Sequence, residues 1–244
     1  MDGVNNNLVL IVGKPATGKS ASLRNIKDPE GVLFLNCESG KELPFSAKFR
    51  QMKVTDPNQI YVAFEKAEAN KKIHTIIIDS ITFMMDMYES MYVLTASDKE
   101  RFKAWADYGD FWRKLMHKYV AGSSKNVIML AHTMDQLNEN EGVMETKVKF
   151  KGSVMNQGVE SYFCVVIASQ KLQLAKVERY KNTNLTITKE EELLGFKYMF
   201  QTRLTKETVN NSLRGPLGLW SIDETYIDND AQFVLDKLHA YYTN

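Results

Sequence analysis

The sequence predicts an α/β fold, a mostly parallel central sheet flanked by helices. Three observations predict it. Short apolar runs of strand length alternate along the 244 residues with longer helical patterns. One such run, LVLIV (Leu8–Val12), passes directly into the glycine-rich segment GKPATGKS (Gly13–Ser20). Another, TIIID, ends on the acidic Asp79.

Leu8–Val12 is apolar at every position, the pattern of a strand buried on both faces. Ser20–Ile26 has the spacing of a helix, stopped by the turn Asp28-Pro29-Glu30-Gly31. Val32–Cys37 is a second strand, rich in β-branched and large apolar residues. Pro57–Lys71 reads as a helix with proline in its first turn, and Ile73–Asp79 as a third strand. Thr82–Leu94 is a helical block whose Met84, Met85, Met87 and Met91 form a packing stripe. Ser97-Asp98-Lys99-Glu100 has the form of a capping box. It opens a long helix to about Val120, closed by Gly122, with Phe102, Trp105, Tyr108, Phe111 and Trp112 on its buried face. Asn126–Ala131 and Val159–Ala168 are further strands, Gly195–Leu204 is another, and Asp230–Tyr242 is a final helix. Without internal repeats, low-complexity tracts or Pro/Gly-rich linkers, one domain over residues 1–244 is expected.

Hydrophobic residues make up 44% and charged residues 25%, ordinary for a soluble globular chain. A net charge of +1 excludes a strongly basic field over the whole chain, so contact with nucleic acid requires a local patch. Cys37 and Cys164 lie far apart inside apolar runs and are expected as buried, reduced thiols. No Cys/His cluster has zinc-ligand spacing. The start MDGVNNN lacks the pattern of a secretion signal, and no apolar run reaches membrane-spanning length. A cytoplasmic location without membrane association is therefore expected.

GKPATGKS fits G-x-x-x-x-G-K-[ST]. In such a loop the glycines let the backbone curl until its N–H groups converge on phosphate oxygens, and a following helix adds its positive end. The cradle comprises Gly13, Lys14, Pro15, Ala16, Thr17, Gly18, Lys19, Ser20 and Ala21. Lys19 supplies charge to the β- and γ-phosphates, and the Ser20 hydroxyl ligates Mg²⁺. Asp79, at the end of a buried strand, is the carboxylate for the Mg²⁺ water shell, with a helix-capping aspartate as the alternative. VLFLNCES places Glu38 at the end of another strand, where a carboxylate polarises an attacking water or caps the next turn. VIMLAHT ends at His132, a contact for the γ-phosphate or simply a satisfied loop histidine.

In this order, GKPATGKS, a strand ending in Glu38, IIIDS and a strand ending in His132 resemble the RecA-like ATPase core over roughly residues 7–170. The likeness is strongest to small bacteriophage RecA-like ATPases, including the Sak-type single-strand annealing proteins. The resemblance implies ATP and Mg²⁺ as cofactors, with Lys19 and Ser20 on phosphate and metal. It also implies Asp79 as the metal-associated aspartate, followed by Ser80, and Glu38 as the catalytic glutamate. His132 stands where RecA itself carries a glutamine that couples nucleotide state to the DNA-binding loop. A ring or filament of copies, working in recombination, annealing or replication in the host cytoplasm, is implied too. A single-strand-binding or replication protein is a further expected partner.

In that family the loop after the sensing strand touches single-stranded DNA. Here METKVKFKG alternates, with Lys147, Lys149 and Lys151 on one face of an extended segment and Val148 and Phe150 on the other, after a NENEG turn. Lysines track a phosphate backbone and an aromatic stacks a base. Alternating lysine also protects edge strands from aggregation. Arg203 and Arg214 are candidates for a cation donated to a neighbour's γ-phosphate, or ordinary surface charges. Two other functions stay open: a small-molecule kinase, and a nucleotide-dependent switch that binds a protein partner through the methionine- and aromatic-rich helices.

Overall fold

The computed structural model describes residues 5–243. Its strands are β1 (Leu8–Gly13), β2 (Val32–Asn36), β3 (Arg50–Lys53), β4 (Thr75–Asp79), β5 (Asn126–Asn138), β6 (Val143–Val148), β7 (Val165–Gln173), β8 (Phe196–Gln201) and β9 (Tyr226–Asp228). They join in the order β3-β2-β4-β5-β1-β7-β8-β9, with β6 paired to β5. From β3 to β7 every neighbour is parallel, and β8 and β9 add antiparallel. The α-helices are α1 (Gln59–Ala69), α2 (Ile81–Tyr88), α3 (Arg101–Lys114), α4 (Gly152–Gln157), α5 (Leu174–Val177), α6 (Lys189–Leu194) and α7 (Ala231–Thr243).

The unbroken apolar runs of β1 and β4 follow from burial on both faces. Leu8, Leu10, Ile76 and Ile78 face one core with Tyr61, Phe64, Met84 and Trp112. Val9, Ile11 and Ile77 face the other with Leu23, Val234 and Leu238. Period-two alternation therefore divides each strand between two helical layers.

Several sequence expectations need correction. The helix expected over Ser20–Ile26 is present as a short 3₁₀ helix, Ser20–Asn25, and Pro29 disfavours its continuation through Asp28. Little macrodipole accumulates over so few residues. The Ser97 capping box does not form. Ser97 Oγ donates to the Glu100 carboxylate at 2.8 Å, and helix α3 begins one residue later, at Arg101. A capping box does close around Thr188 and Glu191, ahead of α6. Phe102 is 89% exposed, while Tyr108, Phe111 and Trp112 of the same cluster are buried. Met91 is exposed as well, unlike Met84 and Met85. Cys37 is buried but Cys164 only half-buried. The strand expected over Val159–Ala168 is β7 and starts at Val165, since Val159–Tyr162 forms a 3₁₀ turn.

The strand expected to end at Ala131 is longer: β5 runs on past the sheet and pairs antiparallel with β6 from Thr133↔Val148 to Asn138↔Val143, so the extended segment after the NENEG turn forms a hairpin. NENEG is its turn, closed by Gly142 N–H donating to the Asn138 carbonyl at 2.8 Å.

Candidate functional site

The segment Gly13–Ser20 leaves β1 at the carboxyl edge of the sheet, between β5 and β7. In parallel sheets, ligands gather at that edge. Two glycines are required there. A Cβ on Gly13 would lie 2.6 Å from the Ser169 carbonyl oxygen and from Thr17 Oγ1, and Gly18 has φ +92°. Thr17 Oγ1 donates to the Lys14 carbonyl at 2.8 Å, holding the curl.

Lys19 lies inside this curl, 6% exposed, and its Nζ donates to the carbonyls of Gly13 and Lys14, both at 2.9 Å. Burial pulls its pKa down from 10.5 to about 8, against the opposing pull of Asp79 and Glu38. Ser20 Oγ donates to Asp79 Oδ2 at 2.7 Å. Register brings Asp79 there: β4 sits between β2 and β5, opposite Asn36 on one side and Leu130 on the other. Burial raises the Asp79 pKa to about 6, partly countered by the Ser20 hydrogen bond. Its Oδ1 is buried and has no hydrogen-bond partner among the described residues.

Glu38 follows β2, and His132 lies in β5 directly opposite Gly13. His132 Nε2 is 3.0 Å from Glu38 Oε1, and its Nδ1 is 3.5 Å from Lys19 Nζ. The ammonium has only protons to offer, so Nδ1 is the unprotonated nitrogen and Nε2 donates to Glu38. That hydrogen bond holds the Glu38 pKa below the usual carboxylate value. Ser80 Oγ adds a long contact to the same Oε1 at 3.4 Å, while Lys41 Nζ stands 3.6 Å from Oε2. The His132 backbone N–H donates to Thr82 Oγ1 at 2.9 Å, and Phe83 packs edge-on against the ring.

Lys19, Ser20, Glu38, Lys41, Asp79 and His132 line one cavity of about 530 Å³, within the usual range for a small-molecule site. A hydroxyl and a single carboxylate are hard oxygen donors, and the orphaned Asp79 Oδ1 is free to accept from metal-bound water. This donor set fits Mg²⁺, which keeps several waters.

Other expected residues lie elsewhere. Lys14 extends away to an ion pair with Asp135 at 2.6 Å. Arg203 donates to the Trp220 carbonyl at 2.7 Å, and Arg214 is bridged to Val166 of β7. Neither lines the cavity of its own chain. Lys147 pairs with Glu145 at 2.5 Å and Lys151 with Glu89 at 2.6 Å, whereas Lys149 is exposed without an ion pair among the described residues. Phe150 is buried, 5.0 Å from Trp112 between ring centroids, and is closed to base stacking. Conversely, Arg24, Lys41, Tyr198 and Asn229 line the cavity without belonging to any recognised spacing. Only their position at the sheet edge marks them.

The geometry agrees with comparison to known proteins. The curated proteins contain no match to this chain. A family model described as an AAA domain matches residues 5–190, which spans the phosphate loop, β2, β4, the β5–β6 hairpin and β7. With most of its length matched and a phosphate loop backed by a buried acidic strand, the chain belongs to this AAA-domain family of P-loop nucleoside-triphosphate-using proteins.

Proposed function

We propose that the protein hydrolyses ATP with Mg²⁺ and couples turnover to single-stranded DNA, in the manner of small phage RecA-like ATPases of the Sak type. One observation carries the reading: Lys19, His132 and Glu38 are linked in series beside the Ser20–Asp79 pair. Each group has a distinct task there. The Lys19 ammonium, now on the Gly13 and Lys14 carbonyls, turns to the β- and γ-phosphates. Ser20 and Asp79 hold Mg²⁺, which when bound shields phosphate charge. His132 donates to Glu38 Oε1 and so fixes that carboxylate. Oε2 then orients the attacking water and takes its proton.

Support for the DNA half comes from the hairpin. The Lys14–Asp135 pair ties the phosphate loop to β5, and Thr146 Oγ1 of β6 donates to the same Asp135 at 2.9 Å. A change at the phosphates therefore has a short route to the strand that carries Lys147 and leads to Lys149. Assembly of copies into a ring or filament belongs to the same reading, with Arg203 or Arg214 as the cation a neighbour donates. So does work in recombination, annealing or replication in the host cytoplasm, beside a single-strand-binding or replication protein.

Steady-state ATP hydrolysis with and without single-stranded DNA, at two salt concentrations, tests the reading. Stimulation by DNA that fades with salt is expected, and no hydrolysis by Lys19→Ala. Hydrolysis indifferent to DNA would remove the DNA half. Full activity in Lys19→Ala would remove the site.

A further inference from the structure

The chain past residue 190 lies outside the matched AAA domain, yet it reaches the phosphate loop. Asn229 directly follows β9 and is 3% exposed. Its Nδ2 donates to Ser169 Oγ of β7 at 3.0 Å, and Ser169 Oγ donates to the Thr17 carbonyl at 2.7 Å. Chemistry fixes the direction of this series. A carbonyl only accepts, so the single Ser169 hydroxyl proton lies on the Thr17 side, and Ser169 can only accept from Asn229. Ser169 is 1% exposed, so both bonds are shielded from water. Asn229 is in turn anchored through its main chain: Arg24 Nη1 donates to its carbonyl at 2.8 Å and to the Ala21 carbonyl at 3.0 Å. Next to it, Asn25 Nδ2 donates to Asp230 Oδ2 at 2.7 Å.

The bond to Thr17 orients a whole peptide plane. The Thr17 carbonyl and the Gly18 N–H belong to one planar trans unit and point in opposite directions. With the carbonyl drawn to β7, the Gly18 N–H faces away from β7. Gly18 lines the cavity, and its N–H has no backbone acceptor among the described residues. Gly18 has φ +92° and no Cβ to restrict it, so the residue itself does little to prevent this plane from turning over. The other polar groups of the loop hold different carbonyls: Thr17 Oγ1 is on Lys14, and Lys19 Nζ is on Gly13 and Lys14.

We infer that Ser169, its hydroxyl aimed by Asn229, is a positioning residue for nucleotide binding, holding the Thr17–Gly18 peptide with its N–H toward the phosphates. The inference rests on the nucleoside-triphosphate reading above and assigns part of that site's shape to the chain beyond the matched domain. Backbone N–H groups of such a loop serve the α- and β-phosphates, which ADP and ATP share. Loss of the brace therefore weakens both nucleotides alike. One hydrogen bond made or lost corresponds to about tenfold in affinity.

Titration of wild type, Ser169→Ala, Asn229→Ala and the double variant with Mg·ADP, and with Mg²⁺ and the non-hydrolysable imido analogue of ATP, tests this. Ser169→Ala is expected to weaken both ligands about tenfold. Its KM for ATP rises accordingly, while kcat at saturation stays within about twofold of wild type. Asn229→Ala is expected to act in the same direction. The double variant is expected to bind no more weakly than Ser169→Ala, because the two residues act in series. Wild-type affinity in Ser169→Ala overturns the inference and leaves the phosphate loop standing, even if urea denaturation shows the variant to be less stable. Losses that multiply in the double variant overturn it too. Failure of the wild-type protein to bind either nucleotide overturns both readings. Ser169→Cys, close in size and a weak donor, repeats the comparison if Ser169→Ala does not fold.

Discussion

Glu38 and His132 act on each other before they act on any ligand. Glu38 Oε1 is taken up by His132 Nε2, so the two form a fixed pair between the end of β2 and the middle of β5. Glu38→Gln keeps the shape and removes the proton acceptor. Nucleotide binding by this variant is expected within about threefold of wild type, with turnover reduced at least ~100-fold. Equilibrium binding and single-turnover kinetics separate the two effects. Loss of binding instead would mean that Glu38 shapes the cavity and does not handle water. Lys19 is marked by the phosphate-loop motif, and Glu38, Asp79 and His132 each follow an apolar run of strand length in the sequence, which is why the four are legible from motif and order alone. The Lys19–His132–Glu38 series is not legible, because it depends on register between β1 and β5.

At the scale of elements, the β5–β6 hairpin separates what alternation predicts from what it does not. Alternation correctly divides Lys149 from Val148 and Phe150. It says nothing about which face is solvent and which is core. Phe150 packs edge-on to Trp112 in the larger core. Phe150→Ala is therefore expected to cost about 3–5 kcal/mol of stability. Lys149→Ala, on the open side, is expected to stay within about 0.5 kcal/mol. Urea denaturation of both variants checks this, and equal costs would contradict the assignment of faces. The misplaced capping box has a similar origin. Ser97 and Glu100 have the required spacing, but α3 begins only at Arg101, so Glu100 stands at the cap and not at the third helical position, and its N–H donates to the Ser97 carbonyl instead of the side chain. Spacing is a local property, and the entry angle of a helix is not.

Over the whole molecule, folding buries a lysine and an aspartate in a cleft shaped for a charged ligand. Without ligand this costs stability, with opposite pH dependence for the two groups. The folded Lys19 titrates near 8 and an ordinary lysine near 10.5, so between these values the unfolded chain holds more protons. Stability therefore rises as pH rises through that window. The folded Asp79 titrates near 6 against an ordinary 3.8, so from 3.8 to 6 the folded chain holds more protons and its stability falls as pH rises. Lys19→Met is expected to flatten the alkaline rise and to stabilise the ligand-free protein at pH 7 by roughly 2–3 kcal/mol. Denaturation midpoints from pH 7 to 10 decide this, and an unchanged slope in Lys19→Met would refute it. Mg·ATP opposes both shifts, because it favours the charged forms.

The sequence by itself determined the α/β class, the phosphate loop and the acidic strand end. All three are contiguous patterns: apolar runs of strand length, a glycine-spaced loop and a carboxylate directly after isoleucines. Tertiary structure alone decided the rest of the cavity. Arg24 lies more than 170 residues from Tyr198 and Asn229 in the chain, and the three meet because β8 and β9 extend the sheet on the β7 side. It also decided that Phe150 is core and that Lys14 reaches the hairpin instead of the cavity. The physical reason is the same in each case. Periodicity specifies which residues share a face of one element, while the element packed against that face is chosen by strand order and register.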